Sequence, residues 1–119
     1  MDLSCEFQKK HSFEKRVEES KRILNKYPDK IPIIVSKEGK SKLTKIDKCK
    51  YLAPNDLTLG QFAMIIRKRI ELKESEALFF FTEKSSIPTT SASLTELYNL
   101  HKNEDGFLYI FYCGENVFG

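Results

Sequence analysis

The residues of this chain that could do chemistry are few, and most are not spaced to act together. Three cysteines, Cys5, Cys49 and Cys113, form no CxxC pair. That argues against a zinc site or a disulfide framework, and they read as reduced thiols. His11 and His101 fall in or beside helical segments, with no motif setting either next to a nucleophile. A Cys–His pair assembled only by folding stays open at this level. No glycine-rich phosphate loop is present. No catalytic residue, metal or cofactor is therefore expected, and the chain does not read as an enzyme. What remains is the end of the chain, "DGFLYIFYCGENVFG". A strand-like run continues almost to the last residue and finishes on Phe118 and a bare Gly119. A terminus that only closed a fold would have little use for an aromatic–glycine tip.

The chain's composition limits which partners are plausible. With 119 residues, 40% hydrophobic and 31% charged, it has the size and make-up of one globular domain with a real core. No stretch approaches the roughly 18 apolar residues of a membrane span. The start, "MDLSCEFQKKHSFEKR", is too charged for a signal peptide. The expected location is the cytosol or nucleus, with any membrane role supplied by an attached lipid or a partner. The net charge of +3 and pI near 8.7 suit an acidic peptide, or weak attraction to an anionic membrane, better than a dedicated DNA binder. "IRKRI" could touch phosphate and "FLYIFY" could stack bases. An alternating aromatic–aliphatic strand is more often core, so no nucleic acid is expected.

These residues must be positioned by elements that the pattern indicates. Leu3 and Phe7, four apart, suggest a short first helix. Ser12 is a candidate N-cap for a second, whose stripe is Phe13, Val17, Ser20, Leu24 and Tyr27. Pro28 ends it. "KIPIIVSK" reads as a strand with Ile31, Ile33 and Val35 on one face and Pro32, Ile34 and Ser36 on the other. Its proline argues against the middle of a sheet or marks an irregular, exposed position. "EGKSK" is a turn, and "CKYLAP" a second strand forming a hairpin with the first. Thr58 and Gln61 have capping-box spacing ahead of the stripe Leu59, Phe62, Ala63, Ile66 and Ile70. "ALFFFTE" is a third strand, apolar enough to be buried on both faces. "SSIPTTSA" reads as a loop. Ser93 and Glu96 open a short helix through Leu94, Leu97 and Tyr98, and "GFLYIFYCG" is the fourth strand. The order α-α-β-β-α-β-α-β places the chain in the α+β class. It is that of a ubiquitin-like β-grasp with two additional N-terminal helices and a four-stranded mixed sheet. The divisions expected are a helical extension at 1–29, the β-grasp core at 30–114, and an exposed tail at 115–119.

The stretches "FEKR", "KIPIIV", "IDKCKYLAP", "DLTLGQF", "IRKRI", "NEDGFLY" and "GENVFG" occur in this order from about Phe13 to Gly119. In them the chain resembles the autophagy ubiquitin-like modifiers, the GABARAP proteins and their microtubule-associated light-chain relatives. The resemblance implies conjugation. The terminal glycine is activated as an adenylate, passed through thioesters, and joined by an amide bond to phosphatidylethanolamine. Gly119 would be the conjugation point, since a residue without a Cβ can enter a narrow active site, and Phe118 the handle recognised before it. The lipid would supply an anchor, taking the protein from the cytoplasm to the autophagosome membrane. The implied partners are activating and conjugating enzymes, a processing and delipidating cysteine protease, phosphatidylethanolamine, and cargo receptors and autophagy proteins. A non-conjugated peptide-binding scaffold of ubiquitin-like fold is the alternative, with a nucleic-acid-binding α+β module as a more remote one.

Such relatives bind aromatic-x-x-aliphatic motifs by adding the peptide as a strand to an open sheet edge. By resemblance, the aromatic pocket would comprise Glu19, Ile23, Pro32, Ile34, Lys50, Leu52 and Phe107. The aliphatic pocket would comprise Tyr51, Ala53, Pro54, Leu57, Phe62, Ile65 and Ile66. Lys30, Lys48 and Arg69, with Lys50, would form a basic rim for acidic flanks. From the residues alone, Pro32 and Pro54 fit an edge left unpaired, whereas Ile23, Ile34 and Phe62 would serve equally as core and "KIDKCK" as a solvated face. Four departures point to a divergent member. "KESEA" replaces a proline-bearing loop, Cys49 stands where a basic residue is usual, Ala53 stands where a larger aliphatic is usual, and the first helix matches poorly.

Overall fold

The computed structural model describes residues 1–87 and 91–115. Two helices lead, α1 (Glu6–Lys10) and α2 (Phe13–Lys26). The Ser12 hydroxyl accepts from the Lys15 N–H at 3.2 Å, capping α2 as its spacing predicts. Tyr27, before Pro28, has left the helical region at φ −128° and ψ 72°. The remaining elements are β1 (Lys30–Lys37), β2 (Lys50–Pro54), α3 (Leu59–Arg69), β3 (Phe79–Phe81), β4 (Ser86–Ile87), α4 (Leu94–His101) and β5 (Leu108–Cys113). The sheet order is β2-β1-β5-β3-β4, with β1 and β5 parallel and the other pairs antiparallel.

The alternation in β1 divides the core as expected. Ile31, Ile33 and Val35 pack with Leu59, Phe62 and Ile66 of α3 and with Leu94 and Leu97 of α4. On the opposite face Ile34 joins Phe81, Phe107, Tyr109 and Phe111, covered by Cys5, Phe7 and Ile23 of the N-terminal segment. Both arms of the Thr58–Gln61 capping box are made, at 3.1 and 3.0 Å, and all five stripe residues of α3 are buried. Ser93 accepts from the Glu96 N–H at 3.2 Å.

Three expectations need correction. The sheet has five strands, because Ser86 and Ile87 pair with Phe81 and Phe80 within the segment read as a loop. Two residues are too short to show a period. Pro32 is buried and lies on β1, an interior strand. It is tolerated because the pairing of β1 with β5 begins only at Ile33, so the missing N–H points beyond the start of that ladder. In α2 the most buried residues are Ser20 and Ile23, while Phe13 and Tyr27 at its ends are 43% and 37% exposed. Ser20 sits where the helix comes closest to the backbone: a Cβ on Gly106, itself at φ +93°, would lie 2.4 Å from its hydroxyl. Only a small residue fits there, and contact centres on the middle of the helix.

Candidate functional site

β2 is an edge strand, so one side of its backbone faces away from the sheet. The Val35 N–H donates to the Cys49 carbonyl at 2.7 Å. In an antiparallel ladder the inward and outward groups alternate. Cys49, Tyr51 and Ala53 therefore turn their amides toward β1, and Lys50 and Leu52 present theirs outward. Pro54 closes the strand with no N–H to offer. An extended peptide laid along β2 would meet one free N–H and C=O pair at Lys50 and another at Leu52.

The side chains of this edge divide between the two faces of the sheet. Pro32 is the cross-strand partner of Leu52, and Ile34 that of Lys50. Leu52, 38% exposed, lies by register on the same face of the sheet as Ile34, whose buried cluster includes Ile23 and Phe107, each of the three at most 4% exposed. Lys50 reaches across from β2 to α2 in an ion pair with Glu19. The predicted aromatic-pocket residues thus share one face of this edge, Ile23, Pro32, Ile34 and Phe107 buried and Glu19, Lys50 and Leu52 accessible. On the other face Tyr51 and Ala53 pack with Phe62 and Ile66, and half-buried Leu57 lies against them. The Tyr51 and Phe62 rings meet edge to face, with centroids 5.7 Å apart. Ile65 is 44% exposed beside this cluster. Pro54 is exposed, and its register with Lys30 sets it on the Leu52 face, apart from the other aliphatic-pocket residues.

The basic rim is partly neutralised. Arg69 donates to both oxygens of Asp47, at 2.8 and 3.3 Å, and this holds the Asp47 carboxyl below the ordinary carboxylate range. Lys48 lies 5.0 Å over the Tyr51 ring. Lys30 is half-buried at the start of β1. Burial pushes the Tyr51 hydroxyl up, and that oxygen has no hydrogen-bond partner among the described residues. Asp47 and Glu19 as counter-ions went unforeseen. Their partners are 22 and 31 residues away in sequence. Phe118 and Gly119 lie outside the described residues.

Comparison with known proteins decides what this arrangement belongs to. Residues 15–119 match the family described as autophagy protein Atg8, ubiquitin-like. The chain is 54% identical over 117 residues to autophagy-related protein 8 of Schizosaccharomyces pombe, covering 98% of this chain and 96% of that one. It is 51% identical over 113 residues to that of Mycosarcoma maydis, covering 95% of each. The crystal structure of Atg8 from Trypanosoma brucei superposes with a TM-score of 0.87 at 40% identity, covering 98% of this chain and 99% of that one. The chain belongs to the Atg8 family. It is a ubiquitin-like autophagy modifier, of the kind joined through a C-terminal glycine to phosphatidylethanolamine and docking aromatic-x-x-aliphatic motifs. The departures at Cys49 and Ala53 do not disturb the Atg8 architecture. Cys49 is exposed opposite Val35, and Ala53 is 5% exposed within the α3-side cluster.

Proposed function

We propose that this Atg8-family chain acts through two sites, Gly119 as the point of lipid conjugation and the β2 edge as the peptide groove. Residues 1–29 serve as a helical extension, 30–114 as the β-grasp core and 115–119 as the conjugation tail, with Phe118 recognised by the conjugating enzymes. The chain is a substrate for activating and conjugating enzymes and for a processing and delipidating cysteine protease, and not itself an enzyme. It works in the cytoplasm and, once lipidated, on the autophagosome membrane, where it collects cargo receptors and autophagy proteins that carry the motif.

The observation that carries the groove is the outward backbone of Lys50 and Leu52 with an apolar cluster on either side of the strand. The peptide adds a strand there. Its aromatic side chain packs against Leu52 over Ile23, Ile34 and Phe107, and its aliphatic side chain against Ile65, Leu57 and Ala53. Because Glu19 and Asp47 already hold Lys50 and Arg69, acidic flanks gain only a screened, modest contribution.

Calorimetric titration with an aromatic-x-x-aliphatic peptide tests the groove. Leu52→Ala should weaken binding by about 2 kcal/mol, roughly thirtyfold. Leu52 is exposed, so the fold should be unaffected. Wild-type affinity in this variant would sink the groove. Conjugation is read separately, as a mobility shift on phosphatidylethanolamine vesicles with ATP and the two enzymes. Lipidation of Gly119→Ala at the wild-type rate would remove Gly119 from its role and leave a peptide-binding scaffold.

A further inference from the structure

The positive charge of this molecule is concentrated in one place. Between Lys37 and Lys50 lie six lysines against two acids, Glu38 and Asp47. That surplus of four exceeds the net +3 of the whole chain, so the rest of the molecule is slightly acidic.

The segment that carries these lysines, between β1 and β2, is pinned to the sheet. The Tyr112 hydroxyl, on a fully buried ring, donates to the Thr44 carbonyl at 2.6 Å and accepts from the Ile46 N–H at 2.8 Å. Ile46 is buried and Leu43 half-buried against the α3-side core, which leaves Lys40, Lys42 and Lys45 exposed. Lys45 is paired with Glu6 at 2.7 Å. Glu38 is buried, its carboxylate accepting from the Asp2 and Lys40 amides at 2.7 and 3.1 Å. Asp2, Glu6, Asp47 and Glu115 are the exposed acids around this segment, Glu6 paired with Lys45 and Asp47 with Arg69. Lys40 and Lys42, with Lys9 and Lys10 of α1, make no ion pair among the described residues.

The chain leaves the sheet at the same end. Lys40, Lys42 and Leu43 line one hollow together with Gly114 and Glu115. A Cβ on Gly114 would lie 3.4 Å from the Leu43 side chain. Five residues follow Gly114, which span at most about 18 Å when fully extended.

We propose that this lysine-rich segment is a membrane-facing surface that binds anionic phospholipid headgroups. Its orienting role rests on the reading of Gly119 as the conjugation point, which holds the segment within that short tether of the bilayer. The surface orients the anchored protein with the β1–β2 connection against the headgroups. The β2 edge then extends away from the membrane, where a partner's peptide can reach it. A single lipid attachment sets only distance, and a second, electrostatic contact sets direction.

The test uses the unconjugated full chain and vesicles of phosphatidylcholine with or without 40% phosphatidylserine, in low and in physiological salt. Each lysine near an anionic surface is worth about fivefold in partitioning. Binding should require phosphatidylserine and weaken as salt rises. It should fall at least tenfold in Lys40→Gln/Lys42→Gln and stay at the wild-type level in Lys21→Gln/Lys68→Gln. Equal binding to both vesicle types, or an equal loss in the two double variants, overturns the proposal. So does unchanged vesicle binding in Lys40→Gln/Lys42→Gln with slowed conjugation, which would assign the segment to an acidic face of a conjugating protein. The conjugation assay on Gly119→Ala is scored independently. A chain that binds phosphatidylserine but lipidates without Gly119 loses the conjugation reading and its tether argument, while the anionic-lipid surface stands.

Discussion

Under α3 and α4 the buried cluster is apolar apart from the hydroxyls of Tyr51 and Tyr112, with Thr82 buried 3.4 Å from the His101 ring at the end of α4. Under α1 and α2 the layer shares its aromatics with Cys5, Ser20, Glu38, Asp105 and Cys113. Asp105 is the centre of that second face. Its carboxylate accepts from Arg16 at 2.6 Å, from the Tyr109 hydroxyl at 2.5 Å and from the Phe107 N–H at 2.8 Å, while its carbonyl accepts from Ser20. Glu38 plays the same part at the other end, taking the Asp2 amide. The contrast separates two ways of covering a sheet. The β-grasp helices are held chiefly by contact area, which is non-directional and tolerant of position, although Tyr98 of α4 also donates to the Gly106 carbonyl at 2.6 Å. The N-terminal helices add a few directional polar ties, each of which depends on a specific partner.

The largest effect should come from the apolar face. Phe62→Ala removes a ring that is 1% exposed and meets Tyr51 edge to face, and should cost about 3–5 kcal/mol in urea unfolding. An effect near that of a surface change would break the comparison at its strong side. Next, Asp105→Asn leaves the Arg16 guanidinium without its counter-charge. The loss should be about 2–3 kcal/mol, below the full cost of breaking a buried pair because Arg16 keeps some access to water. Hydrogen exchange should show it first in α2 amides. If α3 amides loosen equally, the two faces form a single cooperative unit and the distinction fails.

The smallest effect is acid-dependent. Burial alone would push the Glu38 carboxyl up, but the Asp2 and Lys40 amides outweigh it and hold it below the ordinary glutamate range. With the folded value depressed, the charged form's contribution is complete above the unfolded range and is lost as pH falls through the lower folded value. Amides of residues 2–10 should therefore lose protection, measured against their intrinsic exchange rates, on acidification below about pH 4.5. Glu38→Gln should show that loss of protection already at neutral pH, at a cost of about 1–2 kcal/mol, with no further acid step. An acid step of wild-type size in the variant would show that Glu38 does not hold the N-terminal segment.

The features legible in the sequence were those written within a dozen residues. The α3 stripe, its capping box and the stop at Pro28 all rest on local spacing, and the structure reproduces them. The alternation of β1 told which isoleucines share a face, and the ordered motifs named the Atg8 family. The site was less legible. Leu52 and Tyr51 were identified through the resemblance, and the elements alone left Ile23, Ile34 and Phe62 readable as plain core.

Tertiary structure alone decided which strand lies at the edge. The prolines of "KYLAP" and "KIPIIVSK" both fit an edge, and nothing in the sequence says that the former strand borders solvent while the latter runs inside. That follows from the parallel pairing of β1 with β5, which closes one side of β1 and leaves β2 as the border. Folding likewise chose the partners of the charges. Arg16 meets Asp105 across 89 positions, Lys50 meets Glu19 across 31 and Tyr112 pins Thr44 across 68. Local propensity and periodicity act over a few residues and are carried by the chain itself. Strand order and ion pairing depend on which distant surfaces bury each other, and that is settled only when the whole sheet has formed.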